Sequence, residues 1–577
     1  MCLAIFVLAF TVRTLTWQDN QRDAWRVQTS VTERYKESAR QLVSNDFKTF
    51  ISDVSRLGHP PGYPLVLAAI FKTVGESDSA VQLFQIGVDS IASVVLFLIA
   101  LELLTLQVAL LSGFFAAVSP QFAYFSILLL PDSLIVLPIL LAVFLIARVR
   151  NHFSLLHLVV AGAFLGLSCW LRANALLLPI ILAFTAALVT SRGNRLPAAE
   201  GVIAGAILLI APITIKNAIV FHRLIPLSLG SGQTLLEGLA DYDPKGTLDI
   251  PATDLGLMRQ EAALYGKPEY ASELFGKDGV ERDRMRTTRA LGVIRSHPLW
   301  FGGVMAKRAL ASTRLDPVAI LKPEYPVTHQ LDASNANSVW DKSPRELQNT
   351  SKGATIQAVD SNWTRIVGDA EKYETRLASE SISVEPYHDY VLNLPFKLEA
   401  GRSIIKITTD DGSKTLSSMD LIAAEELSPS DQPISQLVIP FVSANTSKVR
   451  LLITNNASTN PSFMIGHARL SNLGPSSYVW LRYLRMPLRI FQRLFTTAWT
   501  LPFVVIGIVS LVCRRRLQQL AILMSVPAYY LLVQSALHTE RRYVYVIHYF
   551  FIVLVGVSLC WLVSLASGWI RQIKNRS

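Results

Sequence analysis

The residues of this chain best placed to do chemistry are acids and bases at the ends of apolar runs. Asp132 stands at the start of one run, in SPQFAYFSILLLPDSL, and Arg172 sits in the short turn WLRAN. Lys216 and Asn217 stand where another run emerges, in APITIKNAIVFHRL. Glu540, Arg541, Arg542 and Tyr543 precede the last run, in ALHTERRYVYV. The first long loop adds Asp19, Asp23, Glu33, Tyr35, Asp46 and His59. Arginine and lysine hold phosphate oxygens through charge-assisted hydrogen bonds. A carboxylate takes the proton of an attacking hydroxyl. Carboxylates also bind a divalent cation such as Mg, Mn or Zn, which neutralises a leaving phosphate, and Asp132 is the candidate ligand. Taken singly, each charge equally fits a side chain that snorkels to the headgroups. Acids and bases from five separated loops, gathered on one face, outline a site.

Membrane spans must carry these residues. The 577-residue chain is 51% hydrophobic and 17% charged, against about a quarter charged in soluble domains. A bilayer takes about 20 apolar residues to cross. Suitable runs lie near 1–16, 80–99, 107–122, 127–146, 155–171, 174–190, 199–216, 494–512, 519–537 and 545–566. The stretches 60–76 and 297–312 are shorter and read as re-entrant or interfacial helices. The first run lacks a positive leader region and a small-residue cleavage site, so it reads as a span.

Orientation follows from basic clusters. Ten alternating spans put Arg148 with Arg150, Arg192 with Arg195, Arg514 with Arg515 and Arg516, and Arg571 with Lys574 and Arg576 on one side. The positive-inside rule makes that side cytoplasmic. Loops 17–79 and 217–493 then lie outside, together with the candidates above. The net charge of +11 gathers partly at span ends. Membrane lipid and an acidic lipid phosphate are therefore the expected partners, not nucleic acid. Cys2, Cys169, Cys513 and Cys560 lie in or beside apolar runs and form no disulfide framework or metal spacing. There is no GxxxxGK[ST] loop and no GxGxxG after a plausible strand, so nothing supports ATP-driven chemistry.

Residues 324–478 carry no span. Period-two stretches at 390–400, 403–410, 434–442, 448–456 and 462–472 read as strands, with AGR and DDGS as turns. They predict an antiparallel sandwich of jelly-roll type. SFMIGHARLSNL is similar to the last strands of carbohydrate-binding sandwich modules; a plain scaffold or lid fits equally. The organisation expected is an N-terminal transmembrane catalytic module at 1–323, the sandwich insertion at 324–478, and C-terminal spans at 479–577 that complete the bundle.

Six passages, in order, resemble the membrane glycosyltransferases of the GT-C fold, especially the bacterial protein mannosyltransferase and aminoarabinose transferase relatives. RYKESARQL at 34–42 looks like the family's first-loop helix, and HPPGYPLVLA at 59–68 like its double-proline turn into a helix. LLLPDSL at 128–134 resembles the acidic second outer loop, and GLSCWLRANALLL at 166–178 a characteristic span pair. The passage 208–238 resembles a "P-W-x-x-R-N … G … G" segment, and ERRYVYVIHYF at 540–550 an "R-Y-x-x-P" approach to a late span. The resemblance implies a polytopic α-helical bundle of about 10–13 transmembrane helices in a bacterial inner membrane. It implies transfer of a sugar from a polyprenyl phosphate to a glycan, lipid or protein acceptor outside the cytoplasm, with inversion. Glu33, Asp23 and Asp132 would then be the catalytic acids. Arg542, Arg541, Arg172 and Lys216 would hold the donor phosphate, supported by Tyr35, His59, Tyr543 and Glu540.

The sequence departs from the family at four places. Val31 stands where the family has its first-loop Asp, and Gly58 where some members have Glu before the double proline. Lys216 replaces Arg before Asn217, which keeps the charge but loses the planar fork. The proline after Arg542 and Tyr543 is absent. Two further readings stay open on the residues alone: a transporter or flippase of a lipid-linked glycan, and a non-catalytic glycan-binding membrane protein.

Overall fold

The structure, a computed structural model, describes residues 1–20, 30–243, 245–276, 278–315, 320–331, 337–349, 355–360, 362–368, 375–422, 435–455 and 461–574. Asp23 lies outside the described residues. The chain divides into two compact units, Met1–Leu321 with Ile490–Ser577, and Lys322–Arg489.

The first unit is helical, with the apolar helices of a multi-pass membrane protein. Among the described residues, four helices are long and apolar enough to cross a membrane: Asp78–Leu103, Arg192–Phe221, Leu517–Ala536 and Val546–Ser567. A bent pair in this unit, Leu106–Val118 with Pro120–Ser126 at 53°, adds one further candidate span. Gly62–Val74, Val136–Val149, Leu155–Leu171 and Ala173–Val189 are apolar but shorter. The ten runs read from the sequence are therefore not ten helices of full membrane length.

The run 127–146 shows why. Its first part is not helical, and the helix begins only at Val136. Pro131 has no N–H to continue a helix. The unwound backbone is tolerated because side chains satisfy it. Gln82 Nε2 donates to the Ile127 carbonyl at 2.7 Å, and Gln85 Nε2 donates to the Leu128 carbonyl at 2.5 Å. Asp132 thus sits in a buried irregular segment between two helices, not at the first turn of a span.

Small residues set the helix spacing. Gly162 on Leu155–Leu171 lies directly against the Val202 carbonyl, and Gly205 on Arg195–Phe221 lies against the Val159 carbonyl. A Cβ at either place would collide with backbone, so the two helices cross at close range. An ion pair ties the bundle centre. Arg13 on Cys2–Asn20 donates to Asp89 on Asp78–Leu103 at 2.7 Å, and Tyr549 donates to the other Asp89 oxygen at 2.6 Å.

The second unit is a pair of antiparallel sheets. One runs Asn337–Lys342, Ala468–Pro475, His388–Ala400, Ser462–Ile465, Thr364–Val367 and Thr355–Ala358 in spatial order, with Ser435–Val442 also paired to His388–Ala400. The other runs Gln348–Asn349, Thr375–Ala378, Lys448–Asn455, Arg402–Thr409 and Thr415–Ile422, with Ile382–Ser383 on Lys448–Asn455. Alternate residues point inward. Leu392, Leu394 and Phe396 from one sheet share a buried core with Ile405, Ile407, Leu451 and Ile453 from the other.

Candidate functional site

Separated segments of the first unit line a cavity of about 1060 Å³. Tyr35, His59, Arg172, Lys216, Glu540, Arg542 and Tyr543 all line it. The double-proline turn is the hinge of this arrangement. Asp53 caps the 3₁₀ turn Val54–Gly58 by accepting from Ser55 N at 2.9 Å. Leu229 N donates to the Leu57 carbonyl at 2.7 Å, which ties the turn to the segment after Lys216. Gly62 then packs on the Trp170 carbonyl, close to Arg172. Asn217, fully buried, donates to the Ile225 and Leu227 carbonyls at 2.9 and 3.1 Å and folds the loop back on its helix.

Aromatic rings hold the charged groups. Tyr35 is 3% exposed, and its ring lies 5.0 Å from both His59 and Tyr63. Arg172 stacks 4.2 Å above the Tyr543 ring, and Arg542 lies 5.2 Å from the same ring. Glu540 accepts from Arg542 at 2.5 Å and from the Tyr543 hydroxyl at 2.9 Å. Arg172 donates twice to one oxygen of Asp132, its Nε at 2.9 Å. Among the described residues, the second Asp132 oxygen is buried with no hydrogen-bond partner, and so is Arg542 Nε. The Lys216 ammonium lies 5.1 Å from the Phe221 ring.

Burial and neighbouring charge set the protonation of the wall groups. Burial, with Arg172 and Arg34 adding to it, pushes His59 down to about 4, so its ring is neutral at pH 7. Burial raises the Tyr35 and Tyr543 hydroxyls and keeps them protonated. Burial opposes the charge of Arg172, but Asp132 and the tyrosines outweigh it and raise its pKa.

The remaining sequence candidates stand elsewhere. Glu33 is half exposed and pairs with Arg40 at 2.6 Å, while Arg40 also holds Glu76 at 2.7 Å. It does not line the cavity. Arg541 is exposed and also off the wall. Asp132 lies behind Arg172, and Asp46 caps the helix Phe47–Ser52 through Thr49 N at 3.3 Å. The side chains around Asp132 do not fit a divalent cation. One oxygen is taken by Arg172, and among the described residues no three of His, Cys, Asp and Glu converge.

Sequence reading missed part of the wall. Glu237, on the helix Ser231–Ala240, is 6% exposed and faces the cavity with Asp254. His538 and Asp241 pair nearby at 2.8 Å. The signal was GSGQTLLEGLA, where a lone acid sits in an apolar helical passage.

Solved structures with partial likeness include arabinosyltransferase EmbB from Mycobacterium smegmatis, at 11% identity over 72% of this chain and 59% of that chain, with a TM-score of 0.20. The arabinose-bound α-L-arabinofuranosidase MgGH51 matches at 13% identity over 26% of this chain and 27% of its own, with a TM-score of 0.18. The CBM22-1 xylan-binding domain of Paenibacillus barcinonensis Xyn10C matches at 15% identity over 24% of this chain and 97% of its own, with a TM-score of 0.17. The chain thus spans less than two thirds of the arabinofuranosidase and of EmbB. No curated protein matches. Residues 58–215, which hold His59, Asp132 and Arg172, match the family model described as dolichyl-phosphate-mannose-protein mannosyltransferase.

Proposed function

We propose that the chain is a membrane glycosyltransferase that moves a sugar from a polyprenyl phosphate to a glycan, lipid or protein acceptor outside the cytoplasm, with inversion. One observation carries this reading: Arg172, Arg542 and Lys216 share a cavity wall with Tyr35, His59 and Tyr543, at the ends of apolar helices. A lipid-linked phosphate can enter such a cavity with its tail still in the bilayer. The guanidinium groups of Arg172 and Arg542, both against Tyr543, can grip phosphate oxygens in fork geometry. In a partly dry cavity these contacts are stronger than at an open surface. Negative charge builds on the leaving phosphate as the sugar–oxygen bond breaks, and cations already in place stabilise it. Asp132 serves by fixing the Arg172 fork. The basic clusters at the opposite span ends favour an inner-membrane protein with this cavity on the outer face.

The test is turnover in lipid nanodiscs with a panel of labelled polyprenyl-phosphate monosaccharides. Release of lipid phosphate and transfer of label to membrane-extracted acceptor are expected for at least one donor. If a folded chain neither hydrolyses nor transfers from any donor, the enzyme reading fails.

A further inference from the structure

Buried carboxylates in the helical unit are mostly neutralised by a neighbour. Asp89 faces Arg13, Asp132 faces Arg172, and Glu261 faces both Arg282 and Arg286. Asp283 accepts from Gly230 N at 3.2 Å and Gly232 N at 3.1 Å. Glu237 is different. Its neighbour is another acid, Asp254, held to it through a common donor. Gln233 Nε2 bridges the two, 3.2 Å from Glu237 and closer to Asp254. Asp241, one turn on, is turned to His538 and Arg308. A buried acid against an acid costs stability unless a proton is shared. Both carboxylates line the cavity that holds Arg172, Lys216 and Arg542.

The backbone around the pair is firmly held. Asp283 fixes the start of Ser231–Ala240 through those two N–H groups. A Cβ at Gly238 would sit 2.6 Å from His538 N, so the helix seats against the segment leading to Glu540 and Arg542. Thr253 caps Asp254–Tyr265 by accepting from Gly256 N at 3.1 Å. Asp254 is therefore on a helix first turn, where the dipole favours negative charge.

We infer that the Glu237–Asp254 pair is the proton acceptor of the transfer reaction, in place of the first-loop acid that Val31 replaces. This rests on the glycosyltransferase reading. Asp254, the exposed member, is the catalytic base, and Glu237 is a positioning residue that holds the shared proton. The acceptor hydroxyl or amine attacks the anomeric carbon as the bond from that carbon to the phosphate oxygen breaks. The acceptor proton passes to the Asp254 carboxylate. The bond pair stays on the lipid phosphate, which leaves as a dianion against the arginines. The class of acceptor implied is one whose nucleophile keeps its proton until it enters the cavity.

Asp254→Asn and Glu237→Gln separate this from a structural role. Transfer and hydrolysis of labelled polyprenyl-phosphate sugars should fall about 100-fold in Asp254→Asn, with donor affinity unchanged and no loss of melting temperature. Glu237→Gln, which matches the protonated acid in shape, should alter the pH profile of kcat while leaving donor affinity in place. Asp254→Glu should recover part of the rate. Full rate in Asp254→Asn, or an unaltered pH profile in Glu237→Gln, overturns the inference and leaves the transferase reading standing. A wild-type chain with no turnover on any donor removes both.

Discussion

Two buried Arg–Asp pairs in the same bundle are finished in opposite ways. Arg13 uses its five N–H groups on Asp89, Ser93 and the carbonyls of Ala9, Ala116 and Ala117. The Asp89 oxygens are both engaged, by Arg13 and Tyr549. Neither side chain is exposed. Arg172 gives two bonds to a single oxygen of Asp132, leaves the other without a partner, and turns toward the cavity. A fully satisfied buried network specifies one packing; a half-satisfied one at a cavity edge keeps capacity for a ligand. The first pair belongs to the fold, and the second to the site.

The largest effect that tests this contrast is on stability. Arg13→Met leaves Asp89 buried without its counter-charge, which should cost about 3–5 kcal/mol. Arg13→Met with Asp89→Leu should regain most of it. Thermal unfolding in detergent checks both; equal losses in single and double variants would break the contrast.

The second pair should respond in the reverse sense. Arg172→Ala should lower transfer about 100-fold or more with a smaller loss of melting temperature. Arg542→Lys keeps charge without the fork, and donor affinity should fall about tenfold. Asp132→Asn sharpens the comparison: it frees Arg172 without removing it, so KM should rise more than kcat falls. Steady-state kinetics on folded variants reads all three.

The contrast also marks how far the sequence could be read. Hydropathy located the apolar helices because a span needs a continuous run, and period two located strands such as His388–Ala400 because one face is buried. Short strands such as Thr355–Ala358, exposed throughout, carry no alternation to read. Arg13 and Asp89 lay hidden inside apolar runs, since their neutralisation is visible only when the helices are packed. The site was half legible. Tyr35, His59, Arg172, Lys216, Arg542 and Tyr543 stood out as charged or aromatic groups at run ends, and they do line one cavity. Glu33 stood out for the same reason but sits on the opposite helix face, where Arg40 takes it. Glu237 did not stand out, because its partner Asp254 lies in another helix and only the fold brings them together.

A pH effect of intermediate size follows from that pair. Burial and Asp254 raise Glu237 to about 9 from an ordinary 4.5, with Asp241 adding to the rise and Gln233 opposing it. The folded chain then holds a proton that the unfolded chain loses first. Stability should be full below about 4.5 and decline as pH rises toward about 9. Glu237→Gln should flatten that decline in melting temperature measured across the range. A steeper decline in the variant would contradict the assignment.

The smallest effect is expected at Glu33. Its pair with Arg40 is half exposed, and such pairs contribute about 0–1 kcal/mol. Glu33→Gln should therefore shift the melting temperature little. A large loss of transfer in a stable Glu33→Gln variant would return that acid to the site.

The central claim is that the half-satisfied pair is built for a lipid phosphate and the satisfied pair is not. Ligand-induced stabilisation tests it most directly. Binding at 100 times Kd adds about 2.7 kcal/mol to a folded state. A saturating short-chain polyprenyl phosphate should raise the melting temperature of the wild-type chain in detergent. The increment should persist in the Arg13→Met, Asp89→Leu variant and vanish in Arg172→Ala. An increment that survives in Arg172→Ala, or is missing from the wild type, would contradict the account.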